Sequence, residues 1–154
     1  MSDQLMKAVG LYHYLPIEDP ESLVDITIEK RAPSGRDLLV KVKAISVNPV
    51  DTKVRAPKDK KEEQPKILGY DVAGIVEETG ESCASFKPGD EVFYAGTITR
   101  QGGNSEYHLV DERIVGHKPA ALSFAEAAAL PLTGITAWEG MFDRIGISEN
   151  AADN

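Results

Sequence analysis

The sequence predicts a mainly β fold, a closed or nearly closed β-barrel that is followed by short C-terminal helices. Short segments rich in β-forming residues recur up to His117, and glycine or proline turns separate them. Residues 72–76 are apolar or small at every position, which predicts a strand covered on both faces in the middle of the core. Beyond Lys118 the pattern changes, and Ser123 with Glu126 forms a capping-box pattern before an alanine-rich helix.

The first three strands follow from composition and side-chain alternation. Residues 6–14 are rich in β formers, and residues 24–28 alternate apolar with polar side chains, as in a half-buried strand. Residues 38–44 alternate in the same way until Ile45 and Val47 break the parity. That break predicts a β-bulge, or burial of both faces, near the end of the third strand.

A long polar loop is predicted for residues 49–64, because Pro49 cannot donate to a strand ladder. Its basic stretch, residues 53–61, is interrupted by Pro57 and Asp59 and is interpreted as a solvated loop rather than a phosphate-binding arm. Downstream of the buried strand, further short strands are predicted at residues 91–95, 105–110 and 114–117.

Two helical segments are predicted at about residues 123–146, and Pro131 separates them. The second begins near Leu132 or Thr133, and its apolar side chains recur at helical spacing at Ile135, Trp138, Phe142 and Ile145. Two glycines inside it lower its helix propensity, which predicts either a close backbone contact or poor helicity. Residues 150–154 form a polar tail.

Composition and charge narrow the functional class. The 154 residues suffice for one domain with a sizeable core, and no apolar run approaches the roughly 18 residues that a membrane span needs. The formal net charge of -8 opposes nucleic acid or an anionic membrane as the main partner. Residues 1–7 lack the apolar core of a signal peptide, and the lone Cys83 has no partner for an internal disulfide. A reducing, cytoplasmic setting is therefore expected.

Several chemical motifs are missing from the sequence. It contains no glycine-rich dinucleotide fingerprint, no Walker loop and no G-x-S-x-G nucleophile motif. One cysteine and three scattered histidines give no metal-ligand spacing, so no structural zinc is expected. His108 lies in an alternating strand and is interpreted as an exposed or hydrogen-bonded histidine rather than a catalytic one.

Five polar side chains at the ends of predicted elements are candidate site residues. Asn48 and Asp51 end a strand, Tyr70 and Asp71 open the buried strand, and Thr133 begins a helix. Each also has a purely structural interpretation. Asn48 and Asp51 would fix a proline turn, Asp71 would cap a turn, and Thr133 would be a helix N-cap.

Taken together, four motifs resemble the medium-chain dehydrogenase/reductase superfamily. In chain order they are SVNPVDTK (46–53), ILGYDVAGIV (67–76), FKPGDEV (86–92) and LPLTGITAW (130–138), and the resemblance extends over about residues 6–147. It is strongest to the zinc-independent quinone oxidoreductase branch, which includes proteins often labelled zinc-type alcohol dehydrogenase-like. The resemblance implies that residues 1–154 form the catalytic domain, a GroES-like partly open β-barrel with short C-terminal helices.

The resemblance also implies an activity for the complete enzyme. NADPH would donate a hydride to a quinone, an enone or another activated carbonyl compound. Asn48 and Asp51 correspond to residues that border the nicotinamide and the substrate cleft, and Thr133 to a residue at the nicotinamide end. Without a metal, the Asn48 amide and the Tyr70 hydroxyl would donate hydrogen bonds to the acceptor oxygen. An ionised Asp51 could only accept hydrogen bonds, so it would orient the acceptor rather than polarise it.

Two departures from the family pattern shape this expectation. Zinc-dependent relatives carry ligands at the positions of Asn48, of the Tyr70-Asp71 pair and of Ala129, so no zinc is expected here. The family also continues into a Rossmann cofactor domain, which is absent from this chain. A domain fragment that is inactive alone is therefore expected, and NADPH would be bound mostly by the missing domain.

Two alternatives remain open. The chain could be a stand-alone GroES-like binding module whose polar loop at residues 49–64 contacts a partner, or it could be the domain of a zinc alcohol dehydrogenase. The acceptor, the choice of NADPH over NADH and the oligomeric state stay open, with a homodimer as one candidate for the complete protein.

Overall fold

The computed structural model describes residues 4–148, and these form short helices packed beside two β-sheets. The eight strands of this part of the chain are β1 (Leu5–Tyr14), β2 (Val24–Glu29), β3 (Asp37–Ser46), β4 (Lys58–Ile67), β5 (Asp71–Thr79), β6 (Glu91–Ala95), β7 (Tyr107–Asp111) and β8 (Gly116–His117). The helices are α1 (Pro49–Arg55), α2 (Phe124–Ala128), α3 (Pro131–Trp138) and a π-helical segment, Glu139–Arg144.

The prediction of a mainly β, partly open fold is confirmed, whereas full closure into a barrel is not observed. One sheet has the order β2-β1-β4 and the other β7-β3-β5-β6-β8, and every pairing is antiparallel. The segment before β7 joins the two sheets. An isolated bridge pairs Ala8 with Ser105, and the Val9 and Val42 amides donate to the carbonyls of Asn104 and Glu106.

Strand β5 lies at the centre of the larger sheet, and its predicted burial on both faces is confirmed. On one face Val72 and Val76 belong to the largest apolar cluster, which also contains residues of β3, β6 and β7. On the other face Ala73 packs against Ala127 and Ala128 of α2. Complete burial of such apolar side chains is the main source of stability in a domain of this size.

The predicted bulge at the end of β3 is also confirmed. The register of β3 against β5 shifts between Val42 and Ala44, which turns the last residues of the strand relative to the first. Beyond the shift Ser46 pairs with Asp71, so β3 delivers Asn48 to the start of β5.

The prediction of a polar loop at residues 49–64 is wrong. Pro49 occupies the first turn of α1, where a proline lacks no needed hydrogen bond, and β4 pairs with β1. The charged residues of β4 lie on an edge strand, where exposed Lys and Glu oppose aggregation. Tyr14 holds β4 in place because its hydroxyl donates to Glu62 and its ring lies 4.0 Å from the ammonium of Lys58.

Two of the predicted short strands differ in extent. The strand predicted at residues 105–110 is β7, which starts two residues later because Ser105 and Glu106 bond to the smaller sheet and to β3. At residues 114–117 only Gly116 and His117 pair as a strand. Ile114 ends a 3₁₀ turn in which the Asp111 side chain accepts from the Arg113 amide.

The capping box before α2 is confirmed, since the Ser123 amide donates to Glu126 at 2.9 Å and the Glu126 amide to the Ser123 hydroxyl at 3.3 Å.

Helix α3 starts at Pro131, not at Leu132 or Thr133, because proline suits the first helical turn. No atom of the described residues would lie within 4 Å of a Cβ at Gly134 or Gly140, and the helix continues as a π-helix. Of the two alternatives predicted for these glycines, poor helicity fits the structure and a close backbone contact does not.

The predicted polar tail at residues 150–154 lies outside the described residues. Among residues 4–148, no helix is long and apolar enough to cross a membrane.

Candidate active site

The carboxylate of Asp71 connects three elements at the centre of a buried polar cluster. Asp71 opens β5 and is fully buried. Its Oδ2 accepts a hydrogen bond of 2.8 Å from the side-chain amide of Asn48, which follows β3. Its Oδ1 accepts one of 2.9 Å from the backbone amide of Leu132 in the first turn of α3. The side chain of Asp71 thus fixes both the Asn48 amide and the start of α3.

Asp51, which precedes Asp71 in the chain, performs a similar role. Its Oδ2 accepts a bond of 2.9 Å from the Asn48 backbone amide, and its Oδ1 accepts one of 2.9 Å from the amide of Gly69. Asp51 lies in the first turn of α1, where the helix dipole favours a negative charge. Helix α1 is therefore anchored to the segment that precedes β5.

Gly69 is required by this arrangement for two reasons. Its φ of +98° lies in the region that favours glycine, and a Cβ at this position would lie 2.2 Å from Oδ1 of Asn104. The next residue, Tyr70, is 5% exposed. Within residues 4–148 its hydroxyl makes no hydrogen bond. A phenol hydroxyl without a partner among the described residues is available to donate to a bound molecule.

Burial acts against the charged form of two side chains in the cluster, Asp71 and Tyr70. Burial raises the pKa of the Asp71 carboxyl, and the nearby Asp51 adds to that effect, while the bonds from Asn48 and Leu132 oppose it. Burial, and then the charge of Asp51, also raise the pKa of the Tyr70 phenol. Tyr70 therefore stays protonated as a hydrogen-bond donor at neutral pH.

Thr133 lies at the edge of the cluster and not inside it. It is exposed in α3, and its hydroxyl donates to the carbonyls of Ala129 at 3.2 Å and Leu130 at 3.0 Å. The helix N-cap is Leu130, so the interpretation of Thr133 as an N-cap is wrong. The interpretation of Asp71 as a turn cap is also wrong, since it is the first residue of a strand. Asn48, Asp51 and Tyr70 come together around Gly69 and Asp71, while Thr133 is connected only through its neighbour Leu132.

The residues at the cluster do not fit a zinc ion. Asn48 uses its side-chain nitrogen as a donor to Asp71, and Ala129 supplies no ligand atom. No group of three or more His, Cys, Asp or Glu side chains that could hold a metal occurs within residues 4–148. Tetrahedral zinc sites are built from such side chains, and one carboxylate beside an amide is too few.

Sequence patterns did not reveal the connecting role of Asp71. They also did not reveal the loop residues that pack against the segment before it. The signal for Asp71 was the position of a carboxylate at the start of a wholly apolar strand, where a charged side chain needs several partners. Gly102, Gly103 and Asn104, which pack against residues 67–70, carried only the appearance of a turn.

The fold and the cluster define the class, a GroES-like domain with a buried polar cluster at the end of its central strands. The chain belongs to the alcohol dehydrogenase GroES-like domain family, whose model matches residues 34–138. It is 43% identical over 150 residues to a zinc-type alcohol dehydrogenase-like protein of Staphylococcus epidermidis, covering 97% of this chain and 44% of that protein.

Solved structures of related oxidoreductases also resemble this chain. A proposed zinc-dependent alcohol dehydrogenase of Rhizobium etli superposes with a TM-score of 0.89 at 57% identity, over 97% of this chain and 44% of that one. The Escherichia coli quinone oxidoreductase, solved in complex with NADPH, superposes with a TM-score of 0.72 at 28% identity, over 88% and 40%. The chain thus spans less than half the length of these relatives.

Proposed function

We propose that the chain is the substrate-binding half of an NADPH-dependent oxidoreductase that reduces a quinone, an enone or a similar carbonyl compound without zinc. The observation that carries this proposal is the buried donor set of Asn48 and Tyr70 at positions where zinc ligands would be expected. The similarity to a quinone oxidoreductase that binds NADPH supports the choice of cofactor and acceptor.

NADPH, when bound, would supply the hydride. The oxygen of the acceptor then gains negative charge, and donors that are already oriented lower the barrier most effectively. Asn48 uses one side-chain N–H for Asp71, which orients the amide and leaves its second N–H free for the acceptor. The Tyr70 hydroxyl is the second donor. Asp51 can only accept, so it holds the backbone of Asn48 and Gly69 in place.

The charge of the cluster also indicates the class of acceptor. Two buried carboxyl groups, Asp51 and Asp71, line the site and have no Lys or Arg partner in the described part of the chain. An anionic acceptor would be repelled in this low-dielectric environment. A neutral quinone or enone carries no such penalty, which supports uncharged conjugated carbonyl compounds as substrates.

The test is a chimera in which this chain replaces the matched segment of the Rhizobium etli protein. The chimera should oxidise NADPH with a quinone, and Asn48→Ala should lower kcat by about 10²-fold because one oriented donor is lost. Asp59→Ala, in the exposed part of β4, is the matched control and should leave kcat unchanged. Elemental analysis should find no zinc in the active chimera.

A kcat for Asn48→Ala equal to that of the unchanged chimera would contradict the role of this amide. Activity that is lost on chelation and restored by zinc would overturn the zinc-free mechanism. The 154-residue chain alone should not oxidise NADPH. The alternative of a stand-alone binding module has less support, because its supposed mobile loop consists of α1 and β4.

A further inference from the structure

The segment that carries the site, residues 67–70, is held by one loop, residues 96–104, which we call the clamp loop. Four consecutive carbonyls of this segment accept hydrogen bonds from clamp-loop amides. The bonds run from Gly102 to Ile67 at 2.9 Å, from Asn104 to Leu68 at 2.9 Å, from Gly103 to Gly69 at 2.8 Å and from Gly96 to Tyr70 at 2.6 Å. The position of Tyr70 is therefore set by the position of this loop.

The close approach of the two segments requires glycine in the clamp loop. A Cβ at Gly102 would lie 2.3 Å from the carbonyl oxygen of Leu68, and a Cβ at Gly103 would lie 2.2 Å from the buried side chain of Val72. Asn104 lies against Gly69, and its Oδ1 is buried without a hydrogen-bond partner among the described residues. An unsatisfied buried acceptor costs about 1–3 kcal/mol, so this side-chain oxygen opposes the stability that the backbone hydrogen bonds supply.

Gln101 anchors the clamp loop to the core. Its side chain accepts from the Ile67 amide at 2.7 Å and donates to the Pro65 carbonyl at 2.8 Å. Its own carbonyl lies 2.9 Å from Nε2 of His108, and Nδ1 of His108 lies 2.9 Å from the hydroxyl of Tyr94. A carbonyl can only accept, so His108 must carry its hydrogen on Nε2 and Tyr94 must donate to Nδ1.

We propose that Tyr94, His108 and Gln101 are positioning residues for the candidate active site, acting through the clamp loop. The path runs from the Tyr94 hydroxyl in β6 through His108 in β7 to the clamp loop, and from there to Gly69 and Asp51. The proposal rests on the proposed function only in that residues 67–70 carry part of the site, the Tyr70 hydroxyl; the geometry that it predicts is independent of any activity.

The test is Tyr94→Phe in the 154-residue chain, which removes one hydroxyl and keeps the ring. Without that donor, the buried Nδ1 of His108 loses its hydrogen-bond partner and the ring keeps only one of the two bonds that hold it, so its bond to Gln101 weakens. Amide hydrogen exchange should accelerate by at least about tenfold at Gly69, Gly102, Gly103 and Asn104, and stay within about twofold in the β3–β5 ladder. Tyr12→Phe, an exposed tyrosine of β1, is the matched control and should change neither set.

Nitrogen NMR of the unchanged chain supplies a second readout, in which His108 should show hydrogen on Nε2 at neutral pH. Hydrogen on Nδ1 would overturn the proposal, as would equal acceleration of the ladder and clamp-loop amides in Tyr94→Phe, or acceleration of neither. If the exchange pattern appears but the chimera is inactive, only the proposed function fails. If the chimera is active and exchange is unchanged, only the positioning role fails.

Discussion

His108 shows how far the surroundings of a single residue determine its chemistry. Burial lowers its pKa to about 4, and the charge of Arg100 adds to the decrease, while the bond to Gln101 and the charge of Asp37 oppose it. The neutral ring can therefore keep one nitrogen as a donor and the other as an acceptor over most of the physiological range. Its interpretation as a hydrogen-bonded histidine is confirmed, and an exposed position is excluded.

The lowered pKa of His108 predicts a loss of stability in acid. Between its unfolded pKa of 6.5 and its folded pKa of about 4, the unfolded chain binds the extra proton, so the free energy of unfolding falls as pH falls through this range. The contribution of His108 reaches about 3 kcal/mol. Urea unfolding at several pH values should show a smaller pH dependence for His108→Asn than for the unchanged chain.

His13, which is exposed in β1, supplies the control for that measurement. His13→Asn should retain the full pH dependence, because this substitution leaves His108 and both of its hydrogen bonds in place. If His108→Asn and the unchanged chain showed the same slope between pH 4 and 6.5, the lowered pKa of His108 would be refuted.

At the scale of elements, the carboxylate of Asp51 holds the start of α1 against the segment before β5. Asp51→Asn keeps the size of the side chain but turns one acceptor into a donor that faces either the Asn48 or the Gly69 amide. The loss of a charge-assisted bond predicts a decrease of about 1.5–3 kcal/mol in the free energy of unfolding. Urea unfolding measures it, and Asp59→Asn on the exposed edge of β4 should stay within about 0.5 kcal/mol of the unchanged chain. Equal stability of the two variants would show that α1 is not anchored by Asp51.

The elements differ in how readily the sequence predicts them, for physical reasons. Strand β5 was predictable because burial on both faces leaves an uninterrupted apolar run. Strand β4 was not, because its pairing with β1 joins segments distant in sequence, and an edge strand needs no apolar pattern. The placement of Asn48 and Asp71 side by side could be expected from the family resemblance alone, since no local rule brings positions 48 and 71 together.

Neither local sequence patterns nor the family resemblance predicts the clamp loop. Its function in the fold depends on main-chain amides, and any residue but proline supplies an amide. Only the tight fit at Gly102 and Gly103 distinguishes the segment, and glycine in a turn has many other causes.

At the scale of the whole molecule, the C-terminal helices carry an exposed apolar face. Its large side chains are 42–74% exposed, and they are Leu130, Ile135, Trp138, Met141 and Ile145. A contiguous apolar surface on a helix is typical of an interaction site. This chain spans 44% of the length of its relatives, and under the function proposed above we expect a cofactor-binding half to cover this face.

This expectation predicts that one substitution has different effects in two contexts. Ile135→Glu in the isolated chain replaces a side chain that is 49% exposed, so the thermal midpoint should change little and binding of an apolar dye should decrease. In the chimera with the Rhizobium etli protein, the same substitution would bury a charge between the two halves and should lower both the midpoint and the activity. Ile17→Glu, at an isoleucine that is 56% exposed and lies outside this face, is the matched control and should leave the midpoint of both proteins unchanged. A chimera that tolerates Ile135→Glu with an unchanged midpoint and kcat would show that the cofactor-binding half does not pack against α3.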